Sequence, residues 1–138
     1  MKRMSRFDVA CVLSLLLAVS LPVTSATEIE HFLNSGHGIA VEEATREIAA
    51  LFNSIQDQIE VTVTVSGAYY DKLLTRAAGG VLPDVATAQR WYLEELAPLC
   101  TPLDPFVERS PLRRTLVPPA VEQSRIGGDL IQLPLVVQ

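Results

Sequence analysis

Seven consecutive residues, Ile59-Glu60-Val61-Thr62-Val63-Thr64-Val65, alternate apolar and polar side chains without a break and are rich in β-branched types. Side chains of a strand point to opposite faces in turn, so this stretch reads as a half-buried β-strand. What constrains the fold is its company. Upstream, Val41, Ala44, Ile48, Leu51, Phe52 and Ile55 recur at three- and four-residue steps. Glu42, Glu43, Arg46 and Glu47 fall mostly on the other side, which is the pattern of an amphipathic helix. Two glutamates in its first turn complement the helix dipole. Downstream, Ser66-Gly67 breaks the strand and a second helix is predicted from about Ala68 to Ala78, with Tyr70, Leu73, Leu74 and Ala77 on one face. Gly79-Gly80 closes it in the manner of a C-cap.

The same alternation extends to both sides. Thr27–Leu33 reads as a first strand, with Ile29 and Phe32 its apolar residues, and Asn34-Ser35-Gly36-His37-Gly38 as a turn-rich loop. Pro83-Asp84 leads into a third strand, Val85–Ala88, and a short third helix is expected around Trp91–Ala97. The order βαβαβα predicts an α/β fold with a mostly parallel, right-handed, doubly wound sheet, and places Ile29, Val61, Val63, Val65 and Val85 in its core. From Pro98 to Pro119, six prolines leave room only for short helical turns, expected near Pro105–Arg109 and Pro119–Ser124. Arg125–Ile131 reads as a hairpin, because Gly127 and Gly128 can take the positive φ angles of a tight turn. Leu133–Gln138 begins another apolar strand. Parallel strands need both faces covered, and three strands plus a dangling fourth make an incomplete sheet. The expectation is the front part of something longer, or a truncated relative of it.

Residues 1–26 have the layout of a secretory signal peptide: Lys2, Arg3 and Arg6 as a positive start, an apolar run Val9–Leu21, and Thr24-Ser25-Ala26 as a cleavage site. An uncleaved anchor is the competing reading, but the run is short for a membrane-spanning helix. Cys11 lies inside the run rather than after it, so no lipid attachment is expected. The chain is thus expected to be periplasmic or secreted, with residues 27–138 as its working domain. Cleavage removes three of the 11 Lys and Arg and one of the 16 Asp and Glu, leaving 8 basic and 15 acidic residues and a formal net charge of −7. Such a surface argues against nucleic acid and anionic lipid as partners. Only Cys100 remains, so no internal disulfide is possible, and its neighbours Pro98, Leu99 and Leu103 suggest a buried small hydrophobe rather than a reactive thiol. His31 and His37 stand six residues apart with no carboxylate placed to complete a zinc site, so no metal and no cofactor are expected.

Several of these segments, taken in order, resemble the carbohydrate-type extracellular solute-binding proteins of bacterial ABC importers, family 1, maltose-binding-like. They are Ile29–Asn34, Ile48–Asn53 (IAALFN), Ile59–Val65, Gly67–Leu74 (GAYYDKLL), Gly79–Val85 (GGVLPDV), Leu93–Ala97, Pro102-Leu103-Asp104 and Asp129–Val136 (DLIQLPLV). The resemblance implies a periplasmic-binding-protein-like fold, of which residues 27–138 would be a partial N-terminal lobe. It further implies a small-molecule ligand, a sugar above all, ABC permease subunits as membrane partners, and a monomer.

In an open α/β sheet, ligands meet the loops at the carboxyl ends of the strands. Here those loops offer Asn34 and His37 after the first strand, Gln89, Arg90 and Trp91 after the third, and Gln138 at the end of the last. Amide and guanidinium groups pair with sugar hydroxyls, and an aromatic face suits the C–H side of a sugar. Tyr70 joins them because it matches a family position that often reaches ligand, and Arg90 matches a cleft position after the third strand. Each also has a structural reading: core packing for Trp91 and Tyr70, a solvated charge for Arg90, turn chemistry for Asn34 and His37. The family's opening strand commonly ends in an aromatic residue and a histidine, where this chain has Leu33 and Asn34.

The reading is a binding protein and not an enzyme. A secreted hydrolase would need a nucleophile beside a base, and Ser35 near His37 has no strand–turn–helix elbow around it. Asp84 precedes a strand and so lies at the wrong end of the sheet. A stand-alone secreted interaction domain is the other alternative.

Overall fold

The computed structural model describes residues 25–134. Strands β1 (Thr27–Asn34) and β2 (Ile59–Ser66) pair in parallel over their full length, from Thr27 opposite Ile59 to Asn34 opposite Ser66. Strand β3 (Val85–Ala86) pairs in parallel with the other edge of β1, His31 opposite Val85 and Phe32 opposite Ala86. The order β2-β1-β3 is that of a parallel α/β sheet built by helical crossovers, as the alternation predicts.

Helix α1 (Ile39–Ile55) follows a single 3₁₀ turn, Ser35–His37, and Gly38 makes the corner at φ 91°, where a side chain would be strained. Helix α2 (Tyr69–Ala78) ends in a Schellman arrangement: Val81 N–H donates to the Arg76 carbonyl at 2.9 Å and Gly80 N–H to that of Ala77 at 3.1 Å, with Gly80 at φ 70°.

Helix α2 lies on the sheet face that carries Phe32. Tyr69 stacks on Phe32 at 4.8 Å between ring centroids, and Phe32, Tyr69, Leu73 and Leu96 form one buried cluster. On the same face Arg76 makes a two-point ion pair with Glu30, at 3.0 and 2.5 Å. The core expected from alternation is therefore displaced. Val85 is exposed, and Ile29, Val61, Val63 and Val65 are only half-buried. Within α2 it is Tyr69, not Tyr70, that is fully buried alongside Leu73, while Leu74 is exposed. The reason lies in α1. Its polar side chains reach the backbone of β2, and its predicted apolar face is not covered: Ile48, Leu51 and Ile55 are exposed and no residue of α1 is buried.

The third strand is two residues rather than four. The third helix is split into a 3₁₀ turn (Arg90–Tyr92), α3 (Leu93–Leu96) and a second 3₁₀ turn (Ala97–Leu99) that holds Pro98. Short helices α4 (Asp104–Val107) and α5 (Pro118–Gln123) occupy the proline-rich stretch as expected, joined by an unforeseen 3₁₀ turn at Pro111–Arg114, which Ser110 caps. Strands β4 (Arg125–Ile126) and β5 (Asp129–Leu130) form the expected hairpin, with Gly127 and Gly128 at φ 63° and 100°. Asp104 ties it down, accepting from Leu130 N–H at 2.8 Å and pairing with Arg125 at 2.7 Å. Residues 131–134 carry no strand, and the rest of the expected closing strand lies outside the described residues, as do residues 1–24 of the expected leader. Cys100 is exposed rather than buried.

Candidate functional site

The carboxyl ends of the three parallel strands lie side by side, and the polar groups that leave them are tied together. Asn34 ends β1. Its carboxamide Oδ1 accepts from Gly36 N–H at 2.9 Å, and its own N–H donates to Thr87 Oγ1, just past β3, at 3.1 Å. A Cβ at Gly36 would stand 3.1 Å from that oxygen, close enough to press on the Asn34 side chain. Ser66 ends β2 directly opposite Asn34; it is 4% exposed and its hydroxyl has no partner among the described residues. The loops after β1 and β2 also touch, since a Cβ on Gly67 would lie 3.6 Å from Ser35 Oγ.

Tyr70, in the first turn of α2, reaches across to the loop after β3. Its hydroxyl accepts from Gln89 N–H at 2.9 Å. Its ring stacks on Tyr92 with centroids 3.6 Å apart and meets Tyr69 edge-on at 5.0 Å. Burial raises the pKa of the Tyr70 phenol, and burial pushes that of Tyr69 up to about 12. Both therefore stay neutral, and that of Tyr70 serves as a hydrogen-bond acceptor. The Tyr69 hydroxyl has no hydrogen-bond partner among the described residues, nor has the buried Nε2 of His37. Gln132 fastens the later chain to this end, its Nε2 donating to the Ala88 carbonyl at 2.8 Å.

Neutral amides, hydroxyls and an imidazole beside a row of aromatic rings can hydrogen-bond and stack on a polar neutral solute. Among the described residues no group of three or more His, Cys, Asp or Glu side chains could hold a metal ion. Two surface grooves measure about 380 and 350 Å³, and the first reaches the end of β2 at Ser66. One is lined by Phe32, Thr64, Ser66, Lys72, Thr75 and Arg76, and the other runs beside the Asp104–Arg125 pair.

The sequence matches no family model and no curated protein. Solved structures do match. A periplasmic solute-binding protein from Pectobacterium atrosepticum SCRI1043 superposes with a TM-score of 0.70 at 24% identity, over 80% of this chain and 27% of the other. An extracellular solute-binding protein family 1 member from Alicyclobacillus acidocaldarius gives 0.65 at 22%, over 77% and 27%. An ABC substrate-binding protein from Listeria monocytogenes, in complex with cycloalternan, gives 0.57 at 23%, over 76% and 28%. The fold is part of a periplasmic-binding-protein-like fold. This chain spans just over a quarter of the length of these solute-binding proteins. A de novo designed cysteine esterase shares the same partial fold, with a TM-score of 0.65.

Within this partial solute-binding fold, the residues singled out in sequence separate into groups. Tyr70 is joined to Gln89 through the Gln89 backbone N–H, and Asn34 is joined through its backbone N–H to Thr87, two residues before Gln89. His37 is half-buried in the 3₁₀ turn that Asn34 caps. Trp91 is 73% exposed, which removes core packing as its role. Arg90 is drawn aside, its guanidinium donating to the Gln123 carbonyl at the end of α5. Gln138 lies outside the described residues. Sequence reasoning passed over Ser66, Thr87 and Tyr92. Ser66 was visible only as a strand breaker, and the stacking of Tyr92 on Tyr70 joins residues 22 apart, which no local pattern encodes.

Proposed function

We propose that this chain is an exported solute-binding component of an ABC importer that receives a hydroxyl-rich small molecule, a sugar, at the carboxyl ends of its parallel strands. The observation that carries the reading is the joining of Asn34, Tyr70 and Gln89 at that end of a periplasmic-binding-protein-like sheet. The ligand would meet amides from Asn34 and Gln89, the imidazole of His37 and the open face of Trp91; Gln138 would add a further amide. Cycloalternan in the complex of the Listeria neighbour supports a carbohydrate. The leader at residues 1–26 supports export, and permease subunits are the partners such a component would deliver to. The reading assigns binding rather than catalysis.

Trp91 supplies the test, being the sole tryptophan and solvent-exposed. Titration of the exported chain with mono- and disaccharides should shift Trp91 fluorescence saturably, and Gln89→Ala should weaken the response. The absence of a saturable shift with every sugar, together with unperturbed amide resonances at Asn34 and Gln89, overturns the proposal.

A further inference from the structure

Strand β2 is an end strand of the described sheet, so every second residue turns its backbone N–H and C=O away from β1. In this chain those residues are Ile59, Val61, Val63 and Val65, and side chains of α1 and its C-cap reach the first three. An open row of this kind is a template for another strand. The segment is also self-compatible: β-branched, free of proline and carrying one charge in eight residues.

Helix α1 occupies that row with side chains. The Asn53 carboxamide meets Val61 as another strand would: Oδ1 accepts from Val61 N–H at 2.9 Å and Nδ2 donates to the Val61 carbonyl at 3.0 Å. One turn on, Gln56 does the same for Ile59. Its Oε1 accepts from Ile59 N–H at 2.8 Å and from Gln58 N–H at 2.9 Å, and its Nε2 donates to the Ile59 carbonyl at 2.6 Å. At the far end the Arg46 guanidinium donates to the Val63 carbonyl at 3.1 Å. Arg46 and Asn53 share one side of the helix, Gln56 is its C-cap, and their partners run in the opposite order along the strand.

We infer that α1 is a built-in edge guard, in which the carboxamides of Asn53 and Gln56 stand in for a neighbouring strand and keep β2 from pairing with β2 of a second copy of this chain. Helices commonly shield sheets with apolar side chains. Here the apolar stripe is left open and the polar side is spent on the strand edge.

The test compares the full chain with the Asn53→Ala, Gln56→Ala double variant by sedimentation and by amide hydrogen exchange. The double variant should associate into dimers and larger species. In its monomer fraction, exchange at Ile59 and Val61 should rise roughly fivefold or more, the factor one lost hydrogen bond supplies. Glu60 and Thr62, which face β1, should keep their protection. Adding Val61→Pro removes the outward donor without touching the ladder to β1 and should restore the wild-type association state. Three results overturn the inference. One is unchanged association and exchange in the double variant. Another is equal loss of protection at Glu60 and Thr62, which would make the carboxamides mere fasteners of the helix. The third is association that persists with Val61→Pro, which would assign it to the exposed Ile48, Leu51 and Ile55 of α1 instead.

Discussion

Tyr70 shows how one hydroxyl can hold two loops in place. It accepts from the backbone of Gln89, 19 residues away, while its ring is clamped between Tyr69 and Tyr92. Tyr70→Phe keeps the stack and orphans a partly buried N–H, so it should cost about 1 kcal/mol in a denaturant titration and free the Gln89 loop. Two other residues set the response to acid. Burial lowers the pKa of His31, so the folded state resists a proton that the unfolded chain accepts at about 6.5. Stability is therefore whole above that value and declines as pH falls through the lower folded one. The Arg76 guanidinium lowers the pKa of Glu30, so its contribution is whole above about 4.5 and is lost as pH falls below that. Thermal melts across pH 7 to 3 should show the first decline below about 6.5, and His31→Gln should remove that decline while leaving the lower one.

At the scale of elements, α1 is the anomaly. An amphipathic helix normally owes its stability to its apolar face. This one meets the sheet through Arg46, Asn53 and Gln56, and leaves Ile48, Leu51 and Ile55 in solvent. Exposed apolar rows of this kind promote association. Leu51→Lys should therefore reduce light scattering of concentrated protein, with the midpoint of unfolding moved by no more than about 0.5 kcal/mol, as for an ordinary surface change. A loss of several kcal/mol would mean that the face is covered in solution. Cys100, also exposed, adds nothing to folding through a disulfide within the described residues.

For the whole molecule, binding follows from how much surface can surround a ligand. The described residues superpose on about a quarter of the solute-binding chains they match. On the proposed reading they supply part of a cleft, so residues 27–138 should bind sugars with an affinity in the millimolar range, about −4 kcal/mol. Calorimetry or amide shifts at Gln89 would measure it, and micromolar affinity would show that these residues build a complete site unaided. The same preparation reports the processed terminus: mass spectrometry should find Thr27 as the first residue, and retention of Val9–Leu21 would refute export by cleavage.

What the amino-acid order determined was whatever depends on neighbours a few residues apart. The strand at Ile59–Ser66 was legible because alternation is a period-two signal. The helix at Tyr69–Ala78 was legible by its three-to-four spacing, and the hairpin by two glycines able to take positive φ. Parallel pairing followed, since a helix between strands returns the chain in the same direction. Only the tertiary structure decided which face of the sheet became the core. Alternation marks two faces without saying which one a helix will cover. Here α2 buried Phe32 through Tyr69 and Leu73, while α1 turned its amides to the edge of β2. The candidate site divides the same way. Asn34, Tyr70 and Gln89 could be named from loop position, side-chain chemistry and family resemblance. Their meeting through Thr87 and a phenol, the turning aside of Arg90 and the exposure of Trp91 depend on contacts between residues tens of positions apart, for which a linear pattern has no term.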